Sequence, residues 1–428
     1  MSDVKNVLVF PAGTEIALEI HDALKFSKFV RLFGATSVAC HAEFVFENCV
    51  DGVPFVDDPA LIDSLNEIID KYKIDYVYPA HDSALLTLTR ERARLHAAVV
   101  TSAEETVEIC RSKNKTYEYL AGAAYLPQSY PDADAVPGYP VFIKPSVGQG
   151  AVGARRIDDR VHLDEALSDG VEYAICEYLP GEEFTVDCFT DRHGALRFVG
   201  PRSRARIRAG ISVRSREFEP DAGILAVAED INRRMSFNGA WFFQLKKNAA
   251  GEYRLMEIAP RIAGTMCMAR NLGVNMPLLT LYNMWGYDVG IINNRNAELI
   301  DRAFINRFKT DIEYERVYVD FDDTVTVRGK VNSILMMCLY QARNAGKSLI
   351  LLTKHAEDIE ASMDKYAVSP RLFDEIIHIA PGADKSEYIK PASIFIDDSF
   401  AERKAVRERC GIPVFDLDMV ESLLDWRA

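Results

Sequence analysis

The chain has little of what would mark a membrane, secreted or nucleic-acid-binding protein. No apolar run approaches the roughly 18 residues that a membrane helix needs. The apolar stretch in the opening MSDVKNVLVFPAG is too short for a signal peptide. The eight cysteines, at 40, 49, 110, 176, 188, 267, 338 and 410, are scattered, with no Cys-x-x-Cys and no histidine cluster beside them. That spacing suits reduced thiols, mostly core filler, in a cytoplasmic protein. Basic excess is missing as well. With 50 Lys and Arg against 64 Asp and Glu, the net charge is −14. A general nucleic-acid or anionic-membrane binder would need a basic face, so neither partner is expected, although a local basic pocket is compatible with this balance.

What is present is a globular composition, 48% hydrophobic and 27% charged, over 428 residues, enough for two or three compact units. NVLVF (6–10), SVAC (37–40) and YVYPA (76–80) read as short buried strands with helical segments between them. Such alternation predicts a parallel sheet covered on both faces, over residues 1–105. YAICEYLPGEEFTVDCFT (173–190) reads as strand, Pro-Gly turn and strand, and WFFQLKKNAAGEYRLMEIAPR (241–261) as a hairpin turning at Asn248 to Gly251. These predict an antiparallel α+β unit over 106–298. NRNAELIDRAF is linker-like, and a third unit is expected over 315–428.

In YPVFIKPSVGQGAVGARR (139–156) a strand carries Lys144 into a loop with Gly148, Gly150 and Gly153. Glycines free the backbone to close its N–H groups around phosphate oxygens, and the lysine adds a positive charge, although a Gly-rich surface hairpin would look the same. The later hairpin sets Gln244 on one strand and Glu257 on the other, oxygen ligands suited to a divalent metal, and Arg261 follows four residues on.

In this order the segments resemble the ATP-grasp superfamily, in its carbamoyl-phosphate-synthetase-like branch, over about residues 1–290. The resemblance implies a Rossmann-like domain ahead of an ATP-grasp fold whose flap subdomain spans about 113–180. It implies Lys113 and Lys144 on the ATP phosphates, and the loop Ser146–Gly153 as flap. Glu177, Tyr178 and Leu179 would form the adenine hinge, Glu183 would bind the ribose, and Gln244 and Glu257 would hold Mg²⁺ or Mn²⁺. The family pattern Glu-x-Asn-x-Arg is here EIAPR, with Ala259 in the Asn position, which puts a second metal in question. In PRSRARIRAGIS (201–212), Arg202, Arg204, Arg206 and Arg208 alternate. In one strand they would share a face, either solvated at an edge or binding an anion such as an acyl phosphate or substrate carboxylate. Arg208 and Arg261 are the two arginines assigned to catalysis. Met266 and Met268, in the flanking PRIAGTMCMARN, are expected in the core.

The third unit opens on VYVDFDDTV (317–325), an apolar run ending in Asp320, Asp322 and Asp323. Clustered carboxylates repel unless a cation or phosphate sits among them. SLILLTKH (348–355) is a strand ending at Thr353, Lys385 stands in GADKSEYI, and SIFIDDSFAER (393–403) ends a strand in Asp397 and Asp398. Parallel strands would bring these ends to one sheet edge, where α/β folds bind ligands. A carboxylate there can take a phosphoryl group, and a second one two residues on, pointing the same way, can protonate the leaving oxygen. A distant acid pair shares a metal ion with the first Asp.

This pattern resembles the haloacid-dehalogenase (HAD) phosphatases over about residues 315–428. It implies Asp320 as nucleophile, Asp322 as acid/base and Thr353 and Lys385 as phosphate ligands. Asp397, with Asp398, would hold Mg²⁺ together with the motif-one acids Asp320 and Asp322. Only 28 residues separate Thr324 from Thr353, and 31 separate Thr353 from Lys385, so a capless site is expected, with the ligase unit the candidate cover.

The whole chain thus reads as a bifunctional enzyme, an ADP-forming carboxylate–amine ligase joined to a phosphatase. Its partners would be ATP, a small carboxylate, an amine and a phosphorylated metabolite. The alternative is a phosphatase with a regulatory nucleotide-binding region. Substrate identities are not written in the sequence, and oligomeric state is open, a homodimer included.

Overall fold

The computed structural model describes residues 4–427 except 149, 209, 295–298, 306 and 309. The chain forms two compact units, Met1–Phe304 and Ile305–Ala428.

The first unit begins with β1 Lys5–Phe10, β2 Val30–Ala35, β3 Asn48–Val50, β4 Tyr76–Pro79 and β5 Ala98–Val99. They form a parallel sheet in the order β3-β2-β1-β4-β5. Val7, Leu8, Val9 and Phe10 are all buried, because layers cover both faces of the central strand. The strand expected at 37–40 is instead a loop. Val38 is exposed, and the Thr36 hydroxyl donates to its carbonyl, which turns the chain after β2.

Four strands follow, β6 Ser129–Tyr130, β7 Val141–Pro145, β8 Arg155–Ile157 and β9 Tyr173–Glu177, paired antiparallel in the order β6-β9-β7-β8. The next seven are β10 Glu183–Thr190, β11 Leu196–Ser203, β12 Arg206–Arg208, β13 Ile211–Arg216, β14 Gly239–Lys247, β15 Tyr253–Ala259 and β16 Leu299–Asp301. β9 and β10, expected as consecutive strands about a Pro-Gly turn, lie in different sheets. Gly181 between them passes so close to β14 that a Cβ there would meet the Lys247 carbonyl oxygen at 2.7 Å.

The larger sheet runs β11-β10-β14-β15. Phe184, Val186, Cys188, Trp241, Phe243 and Leu245 alternate along it and pack on Ile224, Val227, Ala228 and Ile231 of the helix Ala222–Arg234. Period-two alternation sends their neighbours to the opposite face. The arginine run does not form one strand. β11 stops at Ser203, and β12 starts at Arg206 and pairs with β13 in a separate sheet, with a register shift at Arg206/Ile207.

The second unit contains β17 Arg316–Val319, β18 Thr326–Val327, β19 Lys330–Val331, β20 Ser348–Thr353, β21 Glu375–His378, β22 Ser393–Ile396 and β23 Val414–Phe415. Five of them form a parallel sheet, β21-β20-β17-β22-β23, and β18 pairs with β19 in a short hairpin. Val317, Val319, Leu349 and Leu351 feed the core on one face, and Tyr318, Ile350, Leu352 and Phe395 the core on the other. The chain winds outward from β17 through β20 to β21, then returns to the other side at β22. The strand order therefore reverses between β17 and β22, and at such a point open α/β sheets bind ligands, outside the C-terminal ends of the strands. No helix among the described residues is long and apolar enough to cross a membrane.

Candidate functional site

Each unit gathers sequence-predicted residues on one face or edge. In the first, direct cross-strand pairing sets Arg202, Thr185, Gln244 and Glu257 in one row across β11, β10, β14 and β15. Directly opposed residues point to the same face, so Gln244 and Glu257 are immediate neighbours on the side away from the apolar core. One step along the sheet, Glu183 is paired with Lys246 in register, and its carboxylate is 2.7 Å from Arg204 and 3.9 Å from Lys246. Ala259 is buried with Phe242 and Ala263, so the position that would carry a third oxygen is filled by an apolar contact.

A β-bulge gives this face its reach. Gln244 opposes Glu257, but Leu245 opposes Leu255, which leaves Met256 as the extra residue. Its carbonyl accepts from Lys144 Nζ at 2.8 Å and from the Tyr117 hydroxyl at 3.0 Å, and that hydroxyl lies 2.6 Å from Nζ. Lys144 is buried, and burial pushes its pKa below the usual lysine range, with Lys113 opposing its charge as well. Lys144 lines a solvent-open slot together with Phe142, Glu177, Tyr178, Leu179 and Leu255. The expected hinge segment and Lys144, one of the two expected phosphate lysines, therefore border one apolar cleft. Such a cleft, with few polar groups, suits a planar base.

Lys113 begins the helix Lys113–Tyr119, and its backbone N–H donates to the Ser146 carbonyl at 2.8 Å. Ser146 is turned inward, its hydroxyl 2.8 Å from that of Ser112. Beyond it Gly150 and Gly153 have φ of +60° and +75°, where a side chain would be strained. The Gly148 carbonyl accepts from Arg111 at 3.3 Å.

Arg261 and Arg208, the two arginines expected in catalysis, each have a partner within the first unit. Arg261 makes a two-pronged pair with Asp82 at 2.7 and 2.6 Å and lies over the Phe242 ring. Burial alone would raise the Asp82 pKa, but Arg261 outweighs it and holds the carboxyl below the usual range. Arg208 is exposed, its guanidinium over Phe304 at 5.3 Å. Arg202 is 2% exposed, paired with Asp187 and donating to Thr265 at 3.0 Å. Met266 and Met268 are buried in the core.

In the second unit Lys385 Nζ is 2.6 Å from Asp320 and 2.7 Å from Asp397, all three side chains buried. Burial raises the Asp320 carboxyl to about 6, with help from Asp397, and raises Asp397 too. Burial opposes the charge on Lys385, but the two acids outweigh it and raise its pKa. Oxygens of Asp320, Asp397 and Asp398 come within 4.8 Å of one another. Three carboxylates against one ammonium leave a net negative cradle of oxygens, which fits a hard divalent cation. Arg403 holds the loop by donating to the carbonyls of Asp397 and Asp398, each at 2.6 Å. Thr353 is fully buried at the end of β20.

Asp322 is not in that metal group. β17 ends at Val319 and Asp323 has φ of +47°, so strand alternation does not carry past Asp320. The Asp322 carboxylate turns to His355 Nδ1, 2.9 Å from each oxygen. His355, Tyr117, Asp82 and the Met256 carbonyl were not found from sequence. Only His355 carried a signal there, as the lone histidine two residues beyond Thr353.

Residues 171–300 match the profile of a family described as ATP-grasp in the biosynthetic pathway with Ter operon. The chain is 26% identical to the carbamoyl phosphate synthase arginine-specific large chain of Bacillus subtilis (strain 168), over 41% of this chain and 19% of that one. It thus spans about a fifth of that relative. The biotin carboxylase domain of Hydrogenobacter thermophilus 2-oxoglutarate carboxylase, solved with magnesium ADP and bicarbonate, superposes at TM-score 0.58 with 16% identity, over 68% of this chain and 71% of that one. The L-amino acid ligase of Bacillus licheniformis gives 0.52 with 19% identity, over 66% and 74%. The chain carries an ATP-grasp fold.

Proposed function

We propose that the first unit is an ATP-dependent, ADP-forming carboxylate–amine ligase, and that the second is a HAD-type phosphatase requiring Mg²⁺ or Mn²⁺. The named activities of the B. subtilis and B. licheniformis relatives support the first assignment. The observation that carries it is the bulge at Met256, whose carbonyl holds Lys144 in the lining of the apolar slot, next in sequence to Glu257 of the Gln244–Glu257 pair. Adenine would lie against Glu177–Leu179, with Glu183 on the ribose and Lys113, Lys144 and the Ser146–Gly153 loop around the phosphates. A carboxylate oxygen of the substrate takes the γ-phosphoryl group as ADP leaves. The amine nitrogen then attacks the acyl carbon, and phosphate departs. A divalent ion on Gln244 and Glu257, when bound, neutralises triphosphate charge.

For the second unit the carrying observation is Lys385 gripped by Asp320 and Asp397 at the ends of adjacent parallel strands. An Asp320 oxygen would attack phosphorus while the ester bond breaks and Asp322 gives its proton to the departing oxygen. Water then attacks the aspartyl-phosphate, its proton passing to Asp322 and Asp320 being released. Thr353 and Lys385 would orient the phosphoryl oxygens. A cation on Asp320, Asp397 and Asp398 supplies charge neutralisation to the transferring group.

Ala259 favours a second reading, in which the first unit binds nucleotide without turning it over. Incubation with ATP, Mg²⁺ and pools of carboxylates and amines separates the two. The ligase reading expects ADP release that depends on an added carboxylate; nucleotide binding with no ADP from any pool would overturn it. The cytoplasm is the proposed site of action, in keeping with eight free cysteines.

A further inference from the structure

We infer that His355 is a positioning residue that holds Asp322 for proton transfer to the leaving group, an inference that rests on the phosphatase reading. Asp322 sits in the loop after β17, its side chain 52% exposed. Left to itself, such a carboxylate would sample several rotamers. His355 removes that freedom. Its Nδ1 lies 2.9 Å from both Asp322 oxygens, and its Nε2 lies 2.7 Å from the hydroxyl of Ser362, which is buried on the helix Ile359–Lys365.

The rest of the residue is fixed as firmly. Its backbone N–H donates to Thr353 Oγ1 at 3.2 Å, and its carbonyl oxygen is 2.6 Å from His378 Nε2. The ring meets Phe321 edge-on at 5.2 Å between centroids. With both ring nitrogens engaged and the ring against Phe321, the imidazole cannot rotate without breaking a contact. Its orientation is therefore imposed on Asp322 from Ser362. The same residue also touches Thr353, so one side chain and its backbone tie together two of the groups that would surround the phosphoryl.

A group that works only by holding an acid should matter in proportion to the need for that acid. An alkyl phosphate such as glycerol phosphate must have its departing oxygen protonated. The p-nitrophenolate of p-nitrophenyl phosphate leaves without that help. Misplacement of a reacting group by about 1 Å can cost on the order of 100-fold.

The test is kcat/KM of the full chain on both esters, which reports ester cleavage and not the hydrolysis of the aspartyl-phosphate that both esters share. His355→Ala is expected to fall about 10- to 100-fold on glycerol phosphate and less than about 3-fold on p-nitrophenyl phosphate, a smaller loss than the roughly 100- to 10,000-fold that removal of the general acid itself costs. In an Asp322→Asn background the same change should have no further effect, because two residues acting as one unit are not additive. His355→Asn, which keeps an N–H donor near the Nδ1 position, should recover part of the glycerol phosphate rate. An equal loss on both esters, or a full additional loss in the Asp322→Asn background, would overturn the inference and leave the phosphatase reading standing. Hydrolysis of neither ester by the wild-type chain would instead remove the reading on which it rests.

Discussion

Lys385 puts one positive charge between two buried acids, and its removal should make stability depend on pH. In Lys385→Met, with divalent ions chelated, Asp320 and Asp397 are left without their partner. At about pH 8 both are ionised in the unfolded chain, so folding must bury uncompensated charge, at a cost of roughly 3–5 kcal/mol. Both acids have raised pKa values in the fold even with Lys385 holding them down, Asp320 to about 6, and without the lysine they rise further, so as the pH falls the folded variant takes up protons sooner than the folded wild type or the unfolded chain. The variant's deficit should therefore shrink between about pH 8 and about pH 5, while wild-type Lys385, its pKa raised, keeps its charge throughout. Urea denaturation at the two pH values measures this; an equal deficit at both would mean that the acids are not coupled to the lysine. Glu183 offers a second test at this scale. A ribose contact is largely uniform binding, so Glu183→Ala should raise the KM for ATP more than it lowers kcat. A large fall in kcat at saturating ATP would reassign the carboxylate. Charged groups at strand ends could be read from sequence because their cost demands a reason. Their partners could not be: Asp82 is 179 positions from Arg261 and Tyr117 is 139 from Met256, and pairing at that distance is set by packing.

Among elements, the bulge in β15 has the clearest consequence. Met256 is the extra residue, so its deletion leaves Gln244 opposite Glu257 and Leu245 opposite Leu255 while making the ladder regular. The sheet should keep its register and its apolar face. Lys144 and Tyr117 would lose the carbonyl they share, a buried deficit of about 1–3 kcal/mol. The deletion variant is expected to fold, with circular dichroism close to wild type, and to need a much higher ATP concentration for ADP release. Unchanged ATP dependence would mean that the bulge does not position Lys144. Elements were legible where one signal dominated. The buried run at 6–10 became β1, the turn at Asn248–Gly251 joins β14 to β15, and the run at 348–353 became β20. They were misread where tertiary context decided. Val38 looked like a strand residue and is solvent-exposed, and the alternating arginines were divided between two sheets. The bulge was invisible, since nothing in the composition of RLMEIA marks which residue is extra.

For the whole molecule, two sites on two compact units predict separable activities. Glu257→Ala should abolish ADP release, since Ala259 already lacks an oxygen and Gln244 alone is a poor Mg²⁺ site, and should leave phosphoester hydrolysis nearly intact. Asp320→Asn makes the opposite cut. Asn is nearly isosteric with Asp but is not a carboxylate nucleophile, so hydrolysis should fall by orders of magnitude while carboxylate-dependent ADP release persists. Metal binding in the second unit should weaken as well, because Asp320 is one of the three acids whose oxygens converge there. If both activities serve one pathway, the Asp320→Asn protein supplied with its true substrates should accumulate a phosphorylated ligation product. Mass spectrometry would then identify the carboxylate, the amine and the ester together. Coincident loss of both activities in either well-folded variant would rule out independent sites. Wild-type hydrolysis by Asp320→Asn would reduce the acid cluster after β17 to a structural or metal-binding feature, and the aspartyl-phosphate mechanism would have to be withdrawn.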